Sequence, residues 1–129
     1  MADTEKKDLT HDFRHLVFSC SGAADTGALA DQAARKLMRD GKLRMFCITG
    51  VGGKVESILK RTREAETILA IDGCIQNCVK HSLEQAGFTN YKHLPLVELG
   101  YKKGHSPMNA NDVARIAHEG EKLAKGGEK

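Results

Sequence analysis

Tryptophan is absent from the 129-residue chain, and aromatic residues make up only 5% of it. The core must therefore be built from Leu, Ile, Val and Ala. Strong charge of one sign is missing too. Twenty basic against seventeen acidic residues leave a net +3, too mild for an electrostatic footprint on nucleic acid. Long apolar runs are lacking as well. The uncharged stretch from Leu16 to Ala24 falls far short of the ~20 residues that span a bilayer. The opening from Met1 to Asp8 mixes acidic and basic residues, unlike a basic n-region followed by an apolar h-region. These absences point to a cytoplasmic chain with no nucleic-acid or membrane partner, in a compartment where thiols stay reduced. What remains is ordinary for one globular domain: 40% hydrophobic and 29% charged residues. At this length such a domain buries roughly two-thirds of its unfolded surface and needs no staple to hold a core. Residues 1–10 and 126–129 read as flexible ends around a single domain over 11–125.

Four similar passages divide the chain, each an apolar run, a glycine-containing turn and an amphipathic stretch. The first runs from His15 to Cys20, turns at Ser21-Gly22 and enters a helix near Asp25 or Thr26. That helix should bury Leu29, Ala33, Leu37 and Met38 and stop at Gly41. The second is a strand from Leu43 to Ile48 and a turn over Gly50-Val-Gly-Gly53. Its helix is expected to carry Val55, Ile58, Leu59 and Thr62 on one face. The third runs from Thr67 to Ile71, then Asp72-Gly73-Cys74, then a helix burying Ile75, Val79, Leu83 and Ala86 up to Gly87. The fourth, from about His93 to Leu99, contains Pro95, which suits only an edge strand. A last helix, capped by Asn109 or Asn111, turns Val113, Ile116, Ala117 and Leu123 inward. The alternation predicts an α/β fold, a small doubly wound three-layer domain with a four-stranded parallel sheet in the order 2-1-3-4.

Cys20, Cys47 and Cys74 recur at an interval of 27 residues, as expected if each closes one strand of a repeated strand-helix unit. Parallel strands bring such ends to one edge of the sheet, where doubly wound folds hold ligands. Cys78 follows Cys74 by four, one helical turn on the same face. Cysteines are often simply small buried hydrophobes, but that explains poorly why all four meet one rim. Structural disulfides are disfavoured in a reducing compartment. A four-thiolate zinc site accounts for all four, and neighbouring strands about 4.8 Å apart allow side chains from three strand ends to reach one ion. Helix N-termini after the strands would favour the thiolates, and Lys54 would add positive charge. Two other chemistries stay open: a thiol-dependent enzyme or redox protein using Cys20 or Cys74, and an iron–sulfur protein.

Cys20 with Ser21-Gly22, Cys47, the tripeptide Asp72-Gly73-Cys74 and Cys78 together resemble the DGC-domain family, from about His15 to about Leu123. The resemblance implies zinc held by Cys20, Cys47, Cys74 and Cys78, and it implies no particular reaction.

Asp72 is either a group that tunes the site from behind or a turn-forming aspartate before glycine. His81, three residues after Cys78, reads as a surface histidine, the alternative being that it replaces a cysteine or holds an approaching ligand; the other histidines show no ligand spacing. Gly50-Val-Gly-Gly-Lys54 fails both the P-loop and the G-x-G-x-x-G patterns and reads as a turn that permits close backbone approach. The arginine of a phosphatase loop is missing from the segment after Cys20, where Thr26 stands. Lys60 to Arg63 is a solvated helix face. Cys78, on a helical turn that can fray, is the ligand expected to yield first.

Overall fold

The computed structural model describes residues 8–20 and 23–126. The turn Ser21-Gly22, residues 1–7 and residues 127–129 lie outside the described residues. The elements follow in the order β1 (His15–Ser19), α1 (Asp25–Arg39), β2 (Arg44–Met45), α2 (Ile48–Gly52), α3 (Glu56–Glu64), β3 (Thr67–Asp72), α4 (Cys78–Gln85), β4 (Lys92–Pro95), a 3₁₀ turn (Leu96–Leu99) and α5 (Ala110–Ala124). All four strands are parallel, in the order β2-β1-β3-β4. This is the α/β architecture and strand order that the alternation of apolar runs predicts.

The central strands are apolar on both faces, as strands covered on both sides must be. Val17, Leu69 and Ile71 face α1 and α5, packing on Leu29, Ala33, Leu37, Val113 and Ile116. Leu16, Phe18, Ile68 and Ala70 face the opposite layer of Val51, Val79, Leu83 and Phe88. Gly41 ends α1 in the left-handed region at φ 73°, where glycine carries no Cβ penalty. Asn109 caps α5 by accepting the Asp112 N–H. Pro95 ends β4 at the sheet's edge. No helix among the described residues is long and apolar enough to cross a membrane.

Several local expectations are corrected. The second strand comprises only Arg44–Met45. Phe46 still donates its N–H to Val17, but Cys47 then caps a helix with its own sulfur, so the chain leaves the sheet there. Gly50-Val-Gly therefore lies in α2 rather than in a turn. The glycine does serve close approach, but to Ile58: a Cβ at Gly50 would stand 2.7 Å from its Cγ1. Val55 is the exposed residue preceding α3, not part of its buried face. The fourth strand likewise stops at Pro95, and Leu96–Leu99 turns as 3₁₀.

The last correction bears on the site. Cys74 does not open a helix. Asn77 is left-handed at φ 52°, and α4 begins only at Cys78. Residues 74–77 form a turn closed by the Asn77 N–H on the Cys74 carbonyl at 3.2 Å. Ile75, expected in the core, is consequently 79% exposed.

Candidate functional site

Each residue of Asp72-Gly73-Cys74 has a separate physical task. Asp72 is 1% exposed at the end of β3. Its Oδ1 accepts the Val79 N–H at 2.8 Å and its Oδ2 the Lys80 N–H at 3.1 Å. These are orphan donors of the first turn of α4. Asp72 thus caps a helix that its own neighbour Asn77, left-handed and making no side-chain cap, leaves open. The His93 Nε2 also donates to Asp72 Oδ2, at 2.9 Å. Both readings of Asp72 from the sequence contain part of this: it holds the turn, and it does so behind the two cysteines that the turn carries.

Gly73 is wedged against the start of α1. A Cβ there would meet the Thr26 carbonyl oxygen at 2.7 Å and the Gly27 nitrogen at 2.9 Å. Both are backbone atoms, so no side-chain rotation relieves the clash. The Gly73 N–H points to Cys20 and donates to its Sγ at 3.2 Å. That bond joins the ends of β1 and β3 directly.

Cys20, Cys74 and Cys78 line one cavity of about 620 Å³ at the C-terminal edge of the sheet, together with Thr26, Gly73 and Lys103. The Thr26 Oγ1 is buried and has no hydrogen-bond partner among the described residues. Cys20 and Cys74 are half-buried, Cys78 is exposed, and none of the four cysteines is in a disulfide. Cys47 is not among the residues lining that cavity. It is exposed, and its Sγ accepts the Gly50 N–H at 3.3 Å as the cap of α2. Among the described residues, no three His, Cys, Asp or Glu side chains are grouped closely enough to hold a metal ion as they stand. Of the four cysteines expected at one rim, Cys20, Cys74 and Cys78 line a common cavity, and Cys47, beyond the early end of β2, does not line it.

The donor chemistry fits a soft ion. Three thiols share a cavity. Two sulfurs, Cys20 and Cys47, already accept a backbone N–H, a contact that orients them. The positive side chain at the cavity is Lys103, not Lys54, which stands exposed after α2 in the left-handed region at φ 58°. His81 is exposed on α4 and is not among the lining residues.

Two participants escape the sequence pattern. Lys103 arrives from a loop remote from every cysteine. His93 reaches Asp72 only through sheet register: it pairs with Ala70, and Ala70 and Asp72, two apart, share a face of β3. The predicted strand order already sets the fourth strand beside the third; the register that pairs His93 with Ala70 is what the sequence lacks.

Comparison with known proteins covers the same segment of the chain. Residues 16–119 match the family model of the DGC domain, which includes every residue of the site just described. The chain is 39% identical over 109 residues, 84% of its length and 83% of the relative's, to the "Anaerobic and virulence modulator AnvM" of Pseudomonas aeruginosa. No solved structure matches. With most of its length matched by the family model, and with the tripeptide holding the turn between its third strand and fourth helix, the chain belongs to the DGC-domain family.

Proposed function

We propose that the chain is a zinc-binding protein with a regulatory rather than catalytic role. Cys20, Cys74 and Cys78 would hold the ion in their shared cavity, with Cys47 as the fourth thiolate donor. The observation that carries this reading is the meeting of three thiols in one cavity. Thiolates are the donors zinc takes in four-coordinate sites, and the bound ion supplies a cross-link between the ends of the strands. The chain's own residues prepare the place. Gly73 orients the Cys20 sulfur, Asp72 fixes the turn bearing Cys74 and Cys78, and Lys103 offsets negative charge. The similar protein from Pseudomonas aeruginosa is named a modulator, which suits a site that senses or holds an ion.

A thiol enzyme is the less supported reading. The histidines nearest in sequence to the tripeptide are otherwise engaged or misplaced: His93 faces Asp72, and His81 points from an exposed position on α4. The test is elemental analysis of protein purified gently under reducing conditions, with a visible spectrum of the same sample. About one zinc per chain and no colour are expected, because thiolate sites retain zinc strongly. Less than about 0.2 equivalents of zinc overturns the proposal, and a coloured protein containing iron replaces it with a cluster site.

A further inference from the structure

A second cavity, of about 590 Å³, adjoins the first: Cys74, Gln76 and Lys103 line both. Its walls are of a different character. Ile75, Val97 and Tyr101 supply them, with Lys102 and Lys103 at the side. Ile75 is 79% exposed and Val97 40% exposed. Among the described residues only four large hydrophobic side chains are so exposed, and two of them meet at this one cavity. An isolated exposed apolar residue is unremarkable, but a paired set lining a concavity marks a binding surface. The volume falls in the range of small-molecule sites.

The loop that brings the two lysines is held firmly. The Ser106 Oγ accepts the Lys102 N–H and donates to the Lys102 carbonyl, both at 2.9 Å. Asp25, at the start of α1, accepts the N–H groups of Gly104 and Ser106, each at 2.9 Å. Those donors, Gly104 first, hold the Asp25 carboxyl below its ordinary range, so the clamp stays closed at neutral pH. Tyr101, packed in the core, donates its hydroxyl to Asp112 at 2.8 Å. Within this framework neither Lys102 nor Lys103 has a carboxylate within ion-pair distance among the described residues.

We infer that this cavity binds a small amphipathic anion, with its apolar body against Ile75, Val97 and Tyr101 and its negative end at Lys102 and Lys103. The apolar walls select for hydrocarbon, and the two uncompensated lysines beside them select for a negative group. Such a molecule lies against Cys74, on the rim of the thiol cavity. Occupancy of one cavity is therefore felt at the other through the residues they share. The site is built from residues that are not proposed metal donors, Cys74 excepted, and it stands without the zinc reading.

Titration of the purified protein with octanoate, 1-octanol and acetate, followed by amide chemical shifts, tests the inference. Octanoate is expected to shift Ile75, Val97 and Tyr101 saturably. 1-Octanol is expected to bind about fivefold more weakly, the scale of a lost exposed charge pair, and acetate not to saturate. Lys102→Gln with Lys103→Gln should bring octanoate down to the level of 1-octanol without changing the 1-octanol titration. The inference is overturned if octanoate gives no saturable shift at these residues up to about 5 mM. It is equally overturned if the acid and the alcohol bind alike, or if the double variant binds octanoate unchanged. Zinc content measured on the same sample separates failure of the metal reading from failure of this one.

Discussion

The imidazole of His93 on β4 stands 2.9 Å from the carboxylate of Asp72 on the neighbouring β3. That carboxylate in turn holds the first turn of α4 through two backbone N–H groups. One buried side chain thus ties an edge strand, a central strand and a helix to the turn that carries Cys74 and Cys78. Three predictions concern this arrangement and the thiols it supports; a fourth uses the tyrosines as reporters.

Replacing Asp72 by Ala removes a helix cap and leaves buried donors unpaired. Loss of the cap alone is worth about 1–2 kcal/mol, and the unpaired groups add to it. His93→Ala keeps both backbone bonds and should cost clearly less. Chemical denaturation of the two variants checks the order. Modification of Cys74 and Cys78 by a thiol reagent should be faster in Asp72→Ala than in the wild type, because their turn is no longer fixed. If His93→Ala proves the more damaging, the helix cap is not the main task of Asp72.

Gly73→Ala forces a methyl group against the Thr26 carbonyl. Overpacking against backbone costs typically 1–3 kcal/mol, and here it also displaces the N–H donated to Cys20. A drop in stability of about that size, with lower metal retention, is the expected outcome of denaturation and metal analysis. By contrast Gly87→Ala, at a position with open space but φ 94°, should be destabilised through backbone strain alone and retain metal.

The thiol set should not be uniform. Cys47 stands outside the cavity that the other three share, so Cys47→Ser is expected to retain the most zinc among the single Cys→Ser proteins. This shifts to Cys47 the role that the sequence pattern assigns to Cys78, because Asp72 caps the very turn on which Cys78 was expected to fray. Removing the metal should lower the melting temperature yet leave most of the circular dichroism signal. The core packs both faces of the sheet with apolar residues, and a domain of this size needs no ion to fold. Equal loss of zinc in Cys47→Ser and Cys20→Ser, or complete unfolding on chelation, contradicts these expectations.

Alkaline titration offers a clean reporter, since the chain has two tyrosines and no tryptophan. Burial, followed by its hydrogen bond to Glu84, pushes the Tyr91 phenol up to about 12. Burial and then Asp112 raise Tyr101 as well. A phenol whose folded pKa exceeds its unfolded value near 10 stabilises the fold fully below pH 10. That contribution is lost as pH rises from 10 toward the folded value. Ultraviolet absorbance should therefore show neither phenol ionising at its ordinary pH while the protein stays folded, with unfolding and ionisation coupled between about pH 10 and 12. Phenols titrating near 10 in the folded protein would show that the two contacts do not persist in solution.

Much of the architecture is decided locally and is therefore legible along the chain. Continuous apolar runs at Leu16–Phe18 and Ile68–Ile71, helical spacing in Val113, Ile116, Ala117 and Leu123, and Gly41 after the first helix are enough to establish alternating strands and helices. Pro95 has no N–H to give a sheet and so marks the edge strand. The 27-residue interval of Cys20, Cys47 and Cys74 follows the repeat of strand and helix, and Cys20 and Cys74 meet because the parallel β1 and β3 end side by side. Tertiary structure decided what depends on register and on where one element yields to the next. Spacing alone could not show that Cys47 would cap a helix, that a left-handed Asn77 would delay α4, or that Ile75 would therefore face solvent. Nor could it bring His93 to Asp72 or Lys103 to the thiols, since those meetings join chain segments whose separation in sequence carries no record of their distance in space. Helices and strands follow from short-range periodicity. The site follows from contacts between distant segments, and these exist only once the sheet is assembled.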